Sequence, residues 1–259
     1  MIDKIYLVAG GDLRQLYLAK ALARQGNKVY ITCFDEASEL DKQLIPIVQL
    51  SQIIEPLDCI VLPLPVTNDG VTVNTPLSKQ YLSLESVLQK AASRTVIFGG
   101  KVEKAFQTFC GDRGLEVVYY LEREELAVLN AVPTAEGALE ILMQELPTTL
   151  FHTKCLITGF GRISKVLAKY LKALGVSVTI AARKYSDLAW AEVYGCERIH
   201  ISQMAEVAQN FDYIVNTVPA KRFDYGVLSK LKDRCLVLDL ASKPGGADIG
   251  DKSKVYCIN

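Results

Sequence analysis

Short apolar, β-branched runs alternate along the chain with amphipathic stretches, and the alternation is written twice. A shift of 149 residues sets Gly10, Leu18, Ala19, Lys20, Leu22, Gly26, Val29 and Ile31 on Gly159, Leu167, Ala168, Lys169, Leu171, Gly175, Val178 and Ile180. Each segment reads as apolar run, Gly-rich turn, amphipathic helix, Gly stop and second apolar run, the pattern of a first βαβ unit. A second echo, at a shift of 154, sets Asp58-Cys-Ile-Val-Leu-Pro-Leu-Pro65 on Asp212-Tyr-Ile-Val-Asn-Thr-Val-Pro219. Both are β-branched runs that stop at prolines, as buried parallel strands stop at a loop. A third pairs Arg94-Thr-Val-Ile-Phe-Gly99 with Arg234-Cys-Leu-Val-Leu-Asp239. Strands alternating with helical stretches predict an α/β protein of two Rossmann-like, doubly wound parallel-sheet domains.

Between the repeats lies Asn130-Ala-Val-Pro133-Thr134-Ala-Glu136-Gly137-Ala-Leu-Glu140. Pro133 and Thr134 predict a helix start, with Glu136 and Glu140 early in the helix, where the dipole favours negative charge. Leu139, Ile141, Leu142 and Leu146 supply an apolar face, and Pro147 ends it. The expected organisation is a substrate and catalytic domain over 1–130, a hinge helix over 131–149 and a dinucleotide-binding domain over 150–259.

The second copy carries the stronger chemical signal. Lys154-Cys-Leu-Ile-Thr-Gly159-Phe160-Gly161-Arg162-Ile163-Ser164 is a strand running into G-x-G-x-x-S. Gly159 permits the tight turn, Gly161 lets a pyrophosphate approach the backbone, and Ser164 is small enough for helix–strand packing. The N-terminus of the following helix offers free N–H groups to an anion. At the end of the next strand, Ala182-Arg183-Lys184 stands where NAD enzymes carry an acidic residue. Arg183 and Lys184 predict a 2′-phosphate and hence NADP. Thr217, Val218 and Pro219, with Asn216, are expected beside the nicotinamide ribose. The first copy opens with Gly10-Gly11-Asp12, which lacks this spacing and whose Asp12 repels a pyrophosphate. Arg14, in the first turn of its helix, is placed to reach a substrate carboxylate.

The balance of 29 basic and 29 acidic residues among 259 gives no overall attraction to nucleic acid or an anionic membrane. No apolar run approaches the ~18 residues of a membrane helix, and the N-terminus shows no cleavable signal pattern, so a cytoplasmic protein is expected. The seven Cys (33, 59, 110, 155, 196, 235 and 257) contain no CxxC and read as buried thiols. With only His152 and His200, no metal ligand set stands out, and neither histidine sits in a motif.

Five blocks together resemble the family of dipicolinate synthase A subunits: Gly10-Gly11-Asp12-x-Arg14, Leu62-Pro63-Leu64-Pro65, Asn130-x-x-Pro133-Thr134-Ala135-Glu136-Gly137-Ala138, Gly159-Phe160-Gly161-Arg162 and Asp239-Leu240-Ala241-Ser242-Lys243-Pro244-Gly245-Gly246. The resemblance runs from about residue 4 to 246. It implies an enzyme of spore formation that oxidises dihydrodipicolinate to dipicolinate with NADP, beside a second, flavoprotein-like subunit. After Gly246 the chain departs from the family plan, in which a further strand and a helix return to the first domain; that helix is expected to be missing.

Oxidising a dihydropyridine removes a hydride and a proton and leaves an aromatic product, so orientation can carry much of the catalysis. The substrate is a small dicarboxylate and needs anion holders. The candidates are Arg14, Thr134, Ser242 and Lys243, with backbone N–H groups at Gly245 and Gly246, around a cleft between the domains. Two alternatives stay open: another NADP-dependent dehydrogenase of a small carboxylate, and a dinucleotide-binding subunit that regulates a partner without activity of its own. A homo-oligomer is also left open.

Overall fold

The computed structural model describes residues 4–100, 104–220, 225–233, 235–241, 246 and 255–257. The chain divides into two compact units, Met1–Glu124 and Glu125–Asn259. The first contains β1 (Ile5–Ala9), α1 (Leu13–Arg24), β2 (Lys28–Thr32), β3 (Ile45–Pro46), β4 (Cys59–Val61), α2 (Leu84–Leu88), β5 (Val96–Gly99), α3 (Lys104–Asp112) and β6 (Glu116–Tyr119). Helix α4 (Glu124–Glu145) leads into the second unit. There follow β7 (Lys154–Thr158), α5 (Arg162–Ala173), β8 (Ser177–Ala182), α6 (Tyr185–Val193), β9 (Glu197–His200), α7 (Met204–Val207), β10 (Tyr213–Asn216), α8 (Tyr225–Leu228), β11 (Leu236–Asp239) and β12 (Val255–Cys257).

Each unit holds one six-stranded sheet, ordered β3-β2-β1-β4-β5-β6 and β9-β8-β7-β10-β11-β12, with every pairing parallel. Both are the doubly wound order, in which the winding reverses between the first and fourth strands and opens a crevice at their carboxyl ends. The near-continuous apolar runs follow from burial on both faces. In the second unit Cys155, Ile157, Val178, Ile180, Tyr213 and Val215 feed one core, while Leu156, Ala181, Ile214 and Val237 feed another. In the first unit Leu7, Ile60, Leu62 and Ile97 face one way and Val8, Val29, Ile31 and Val61 the other.

The repeat extends to hydrogen bonds. Asp58 Oδ2 accepts the N–H of Ile5 at 2.7 Å, and Asp212 Oδ2 accepts that of Lys154 at 2.8 Å. In each unit an aspartate just before the fourth strand ties down the start of the first. Cys33, Cys59, Cys110, Cys155, Cys196 and Cys235 are buried, as expected for apolar thiols.

Helix α4 departs from expectation twice. It begins at Glu124, and Pro133 lies inside it rather than at its start. The proline removes the N–H that would bond the Leu129 carbonyl, and Leu129 sits at an exposed position. By length and composition α4 also qualifies as long and apolar enough to cross a membrane, contrary to the reading that no run is. Its Ala135, Ala138 and Leu142 are buried in the core of the second unit beside Ile157 and Leu167, as in a core helix of a globular fold.

Candidate functional site

The strand β7 ends at Thr158, and the turn to α5 runs through Gly159, Phe160 and Gly161. Gly159 has φ +82°, a left-handed conformation that favours glycine. A Cβ there would come within 2.8 Å of Val218 Cγ2. Gly161 is the N-cap of α5, and no side chain caps that helix. Its Cα faces open space, with nothing within 4 Å of where a Cβ would stand. The turn therefore leaves first-turn donors and a bare backbone approach together, which fits the anionic pyrophosphate of a dinucleotide. The Phe160 ring is buried against Tyr194, so this residue offers the turn only its backbone. Ser164 is fully buried, its Oγ 2.8 Å from Thr217 Oγ1, and it holds α5 close to the end of β10.

A cavity of about 240 Å³ adjoins this turn, lined by Ala127, Asn130, Ala131 and Thr134 of α4, by Gly161, Arg162 and Ile163, and by Thr217. Thr134 and the glycine turn, 25 or more residues apart in sequence, thus share one wall. Thr134 Oγ1 donates to the Asn130 carbonyl at 3.1 Å within α4, so it caps no helix start. Asn130 opens the family-like block, whereas Ala127 and Ala131 carry no motif; the place of these two on the cavity became visible only with the true span of α4.

At the end of β8, Ala182 is buried, and Arg183 and Lys184 are exposed. Lys184 is the N-cap of α6. His200, paired with Ala182 across β8 and β9, stacks on Tyr185 with ring centroids 5.8 Å apart and lies 2.7 Å through Nδ1 from Ser202 Oγ. His152 sits in the turn before β7, stacked on Phe151. Among the described residues no cluster of His, Cys, Asp and Glu could hold a metal.

Asn216 departs from its expected place beside the ribose. It is fully buried, with both amide atoms used inside the protein: Oδ1 accepts from Thr158 Oγ1 and from the N–H of Val218, and Nδ2 donates to Asp239 Oδ1. Strands β7 and β11 flank β10 on both sides and enclose its last side chain. Thr217 and Val218 are half-buried and Pro219 is exposed. Ser242, Lys243 and Gly245 lie outside the described residues.

In the first unit the corresponding crevice is built differently. Asp12 caps α1 by accepting the N–H of Arg14 at 2.9 Å. The Arg14 guanidinium grips the same carboxylate, Nε to Oδ1 at 3.0 Å and Nη2 to Oδ2 at 2.7 Å, and reaches the Leu64 carbonyl at 3.3 Å. Hydrogen bonds from Arg14 hold the Asp12 carboxyl below the usual carboxylate range, against the opposing effect of burial. Tyr120, just past β6, hydrogen-bonds the Leu62 carbonyl at 3.4 Å and stands where a Cβ on Gly100 would come within 2.7 Å of its hydroxyl. Burial pushes its phenol upward. Tyr120 lies in no sequence motif, and only the sheet order brings it over β4 and β5 toward Arg14.

Two family models divide the chain. That of the N-terminal domain of the dipicolinate synthase A subunit matches residues 6–121, and the D-isomer specific 2-hydroxyacid dehydrogenase, NAD binding domain, matches residues 135–238. The chain is 30% identical over 249 residues to the dipicolinate synthase A subunit of Bacillus subtilis (strain 168), covering 93% of this chain and 82% of that protein. Among solved structures it is similar to the dipicolinate synthase A subunit from Bacillus halodurans, with a TM-score of 0.87, 28% identity, and coverage of 100% of this chain and 90% of that one. It is similar also to the dipicolinate synthase A chain from Bacillus subtilis, with a TM-score of 0.85, 27% identity, and coverage of 100% and 88%. The second unit is thus a nicotinamide dinucleotide-binding domain of dehydrogenase type.

Proposed function

The chain belongs to the family of dipicolinate synthase A subunits, and from that premise we propose that it oxidises dihydrodipicolinate to dipicolinate with NADP. The observation that carries this reading is the uncapped start of α5 behind the Gly159–Gly161 turn, opening on the cavity that Thr134 and Thr217 line. When bound there, NADP supplies a hydride acceptor; the reaction releases one further proton and leaves an aromatic ring.

The residues divide the remaining work. The N–H groups at the start of α5, with the backbone of Phe160, Gly161, Arg162 and Ile163, hold the pyrophosphate. Arg183 and Lys184, exposed past Ala182, hold the 2′-phosphate, which is what separates NADP from NAD. Thr217, Val218, Pro219 and Thr134 border the nicotinamide end. Arg14 keeps its Nη1 edge for a substrate carboxylate while Asp12 grips its other edge, and Ser242 and Lys243 take the second carboxylate. Aromaticity of the product drives the step, so the site works mainly by orientation. A second, flavoprotein-like subunit is its partner in spore formation.

The test is turnover of dihydrodipicolinate formed in situ, followed by the absorbance of dipicolinate, with NADP and NAD compared. Arg14→Ala and Lys243→Ala are each expected to lose at least about tenfold in kcat/KM, which is ~1.4 kcal/mol of transition-state binding. Arg183→Ala is expected to weaken NADP(H) about tenfold and leave NAD(H) unchanged. Tighter NAD(H) than NADP(H), unmoved by Arg183→Ala, overturns the cofactor assignment. Turnover of another small carboxylate in preference overturns the substrate. Hydride transfer by the isolated chain rejects the alternative of a dinucleotide-binding subunit without activity of its own.

A further inference from the structure

The carboxyl ends of β7, β10 and β11 carry three polar side chains withdrawn from solvent. Thr158 and Asn216 are fully buried, and Asp239 is 2% exposed. A carboxylate ending a Leu-Val-Leu strand is unfavourable in such a place unless donors surround it. Asp239 has them. Its Oδ1 accepts the N–H of Ala241 at 3.0 Å and the Asn216 Nδ2 at 2.8 Å, and its Oδ2 accepts the N–H of Gly246 at 2.8 Å. One carboxylate thus pins both ends of the segment 241–246. Asn216 passes the constraint on, because its amide also bonds the Val218 N–H at 3.2 Å and the Val218 carbonyl at 3.1 Å.

Two glycines close this arrangement from opposite sides. A Cβ on Gly246 would stand 2.0 Å from Asn216 Nδ2 and 2.8 Å from the Val218 carbonyl oxygen. A Cβ on Gly159 would stand 2.8 Å from Val218 Cγ2 and 3.0 Å from Thr217 Oγ1. Residues 216–218 are therefore wedged between the glycine turn and Gly246, at van der Waals contact on each side.

We propose that Asp239 and Asn216 are a positioning pair, which touches no ligand and locks Ala241 and Gly246 to the loop after β10 and, through it, to the glycine turn. Its consequence for substrate rests on the assignment of Ser242 and Lys243 above; the lock itself does not. A buried amide–carboxylate contact holds direction as well as distance, since each oxygen faces a donor and each N–H an acceptor. Replacing one carboxylate oxygen by an NH₂ group sets donor against donor at Gly246 or at Ala241 and Asn216.

The experiment is hydrogen exchange of the full-length chain, without ligand, for Asp239→Asn and Gly246→Ala beside the original. Gly246→Ala keeps both polar side chains and displaces the Asn216 amide, so the proposal stays testable if Asp239→Asn fails to fold. The expected result is exchange at least about tenfold faster at 216–219 and 239–246, with protection of β7 and β8 unchanged. Turnover is expected to respond as well, with kcat/KM for dihydrodipicolinate falling at least about tenfold. Exchange accelerated evenly across the domain marks a merely structural pair and overturns the proposal, as does unchanged exchange at 239–246. Confined acceleration without turnover of dihydrodipicolinate by the original chain supports the lock and rejects only the substrate assignment.

Discussion

Gly10 and Gly159 hold the same place in two sheets of the same strand order, and both have positive φ, +67° and +82°. Beyond them the domains part. In the first, Asp12 fills the cap of α1 and Arg14 neutralises it. In the second, Gly161 leaves the cap of α5 empty of side chain. A carboxylate at a helix start satisfies its N–H groups and repels an anion; a glycine leaves those donors to a ligand. The two units thus share one architecture and differ at this cap.

The largest expected effect comes from placing alanine at the two matched glycines. Left-handed strain of ~1–3 kcal/mol, added to the contact with Val218, should make Gly159→Ala bind NADPH about 100-fold more weakly in a fluorescence titration. Gly10→Ala carries the same backbone strain and should lower the melting temperature while leaving that affinity within about twofold. Equal losses in both variants would break the distinction between the domains.

Transplanting the cap sharpens it. Gly161 has φ −83° and ψ −165°, extended backbone that aspartate adopts, and open space beyond its Cα. Gly161→Asp should stabilise the start of α5 by a few tenths of a kcal/mol and weaken NADPH about tenfold, because the new carboxylate takes the donors. Affinity kept in Gly161→Asp would mean that the helix start does not hold the pyrophosphate.

The smallest effect concerns the cap that α1 already has. Asp12 titrates below its ordinary value because Arg14 donates to it. A carboxyl depressed in the folded state contributes stability above its unfolded value, about 3.9, and loses it as the pH falls through the folded value. Urea unfolding should therefore show the original chain more stable than Asp12→Asn from pH 7 to pH 5, with the gap closing below about pH 4. A gap independent of pH would assign the cap to hydrogen bonding alone.

Much of this was legible in local pattern. The echoes at Asp58 and Asp212 marked matched strands, and the structure shows each aspartate bonding the start of its first strand. The Gly159–Ser164 spacing marked the turn of a dinucleotide-binding domain. Pro133 misled because a proline inside a helix removes one hydrogen bond, and packing of Ala135, Ala138 and Leu142 outweighs that loss. Asn216 misled because a polar residue ending an apolar strand reads alike whether it faces a ligand or a neighbouring strand. Asp239 carried the same ambiguity, and Tyr120 carried no signal.

Apolar periodicity and glycine spacing are properties of a few successive residues, and they sufficed to specify two doubly wound sheets and the turn that distinguishes one from the other. The partners of Asn216, Asp239, Thr134 and Tyr120 lie on strands and helices distant in sequence. Only the order in which β7, β10 and β11 assembled, and the side of the second sheet that α4 came to cover, decided whether those side chains would lock the protein to itself or face a ligand.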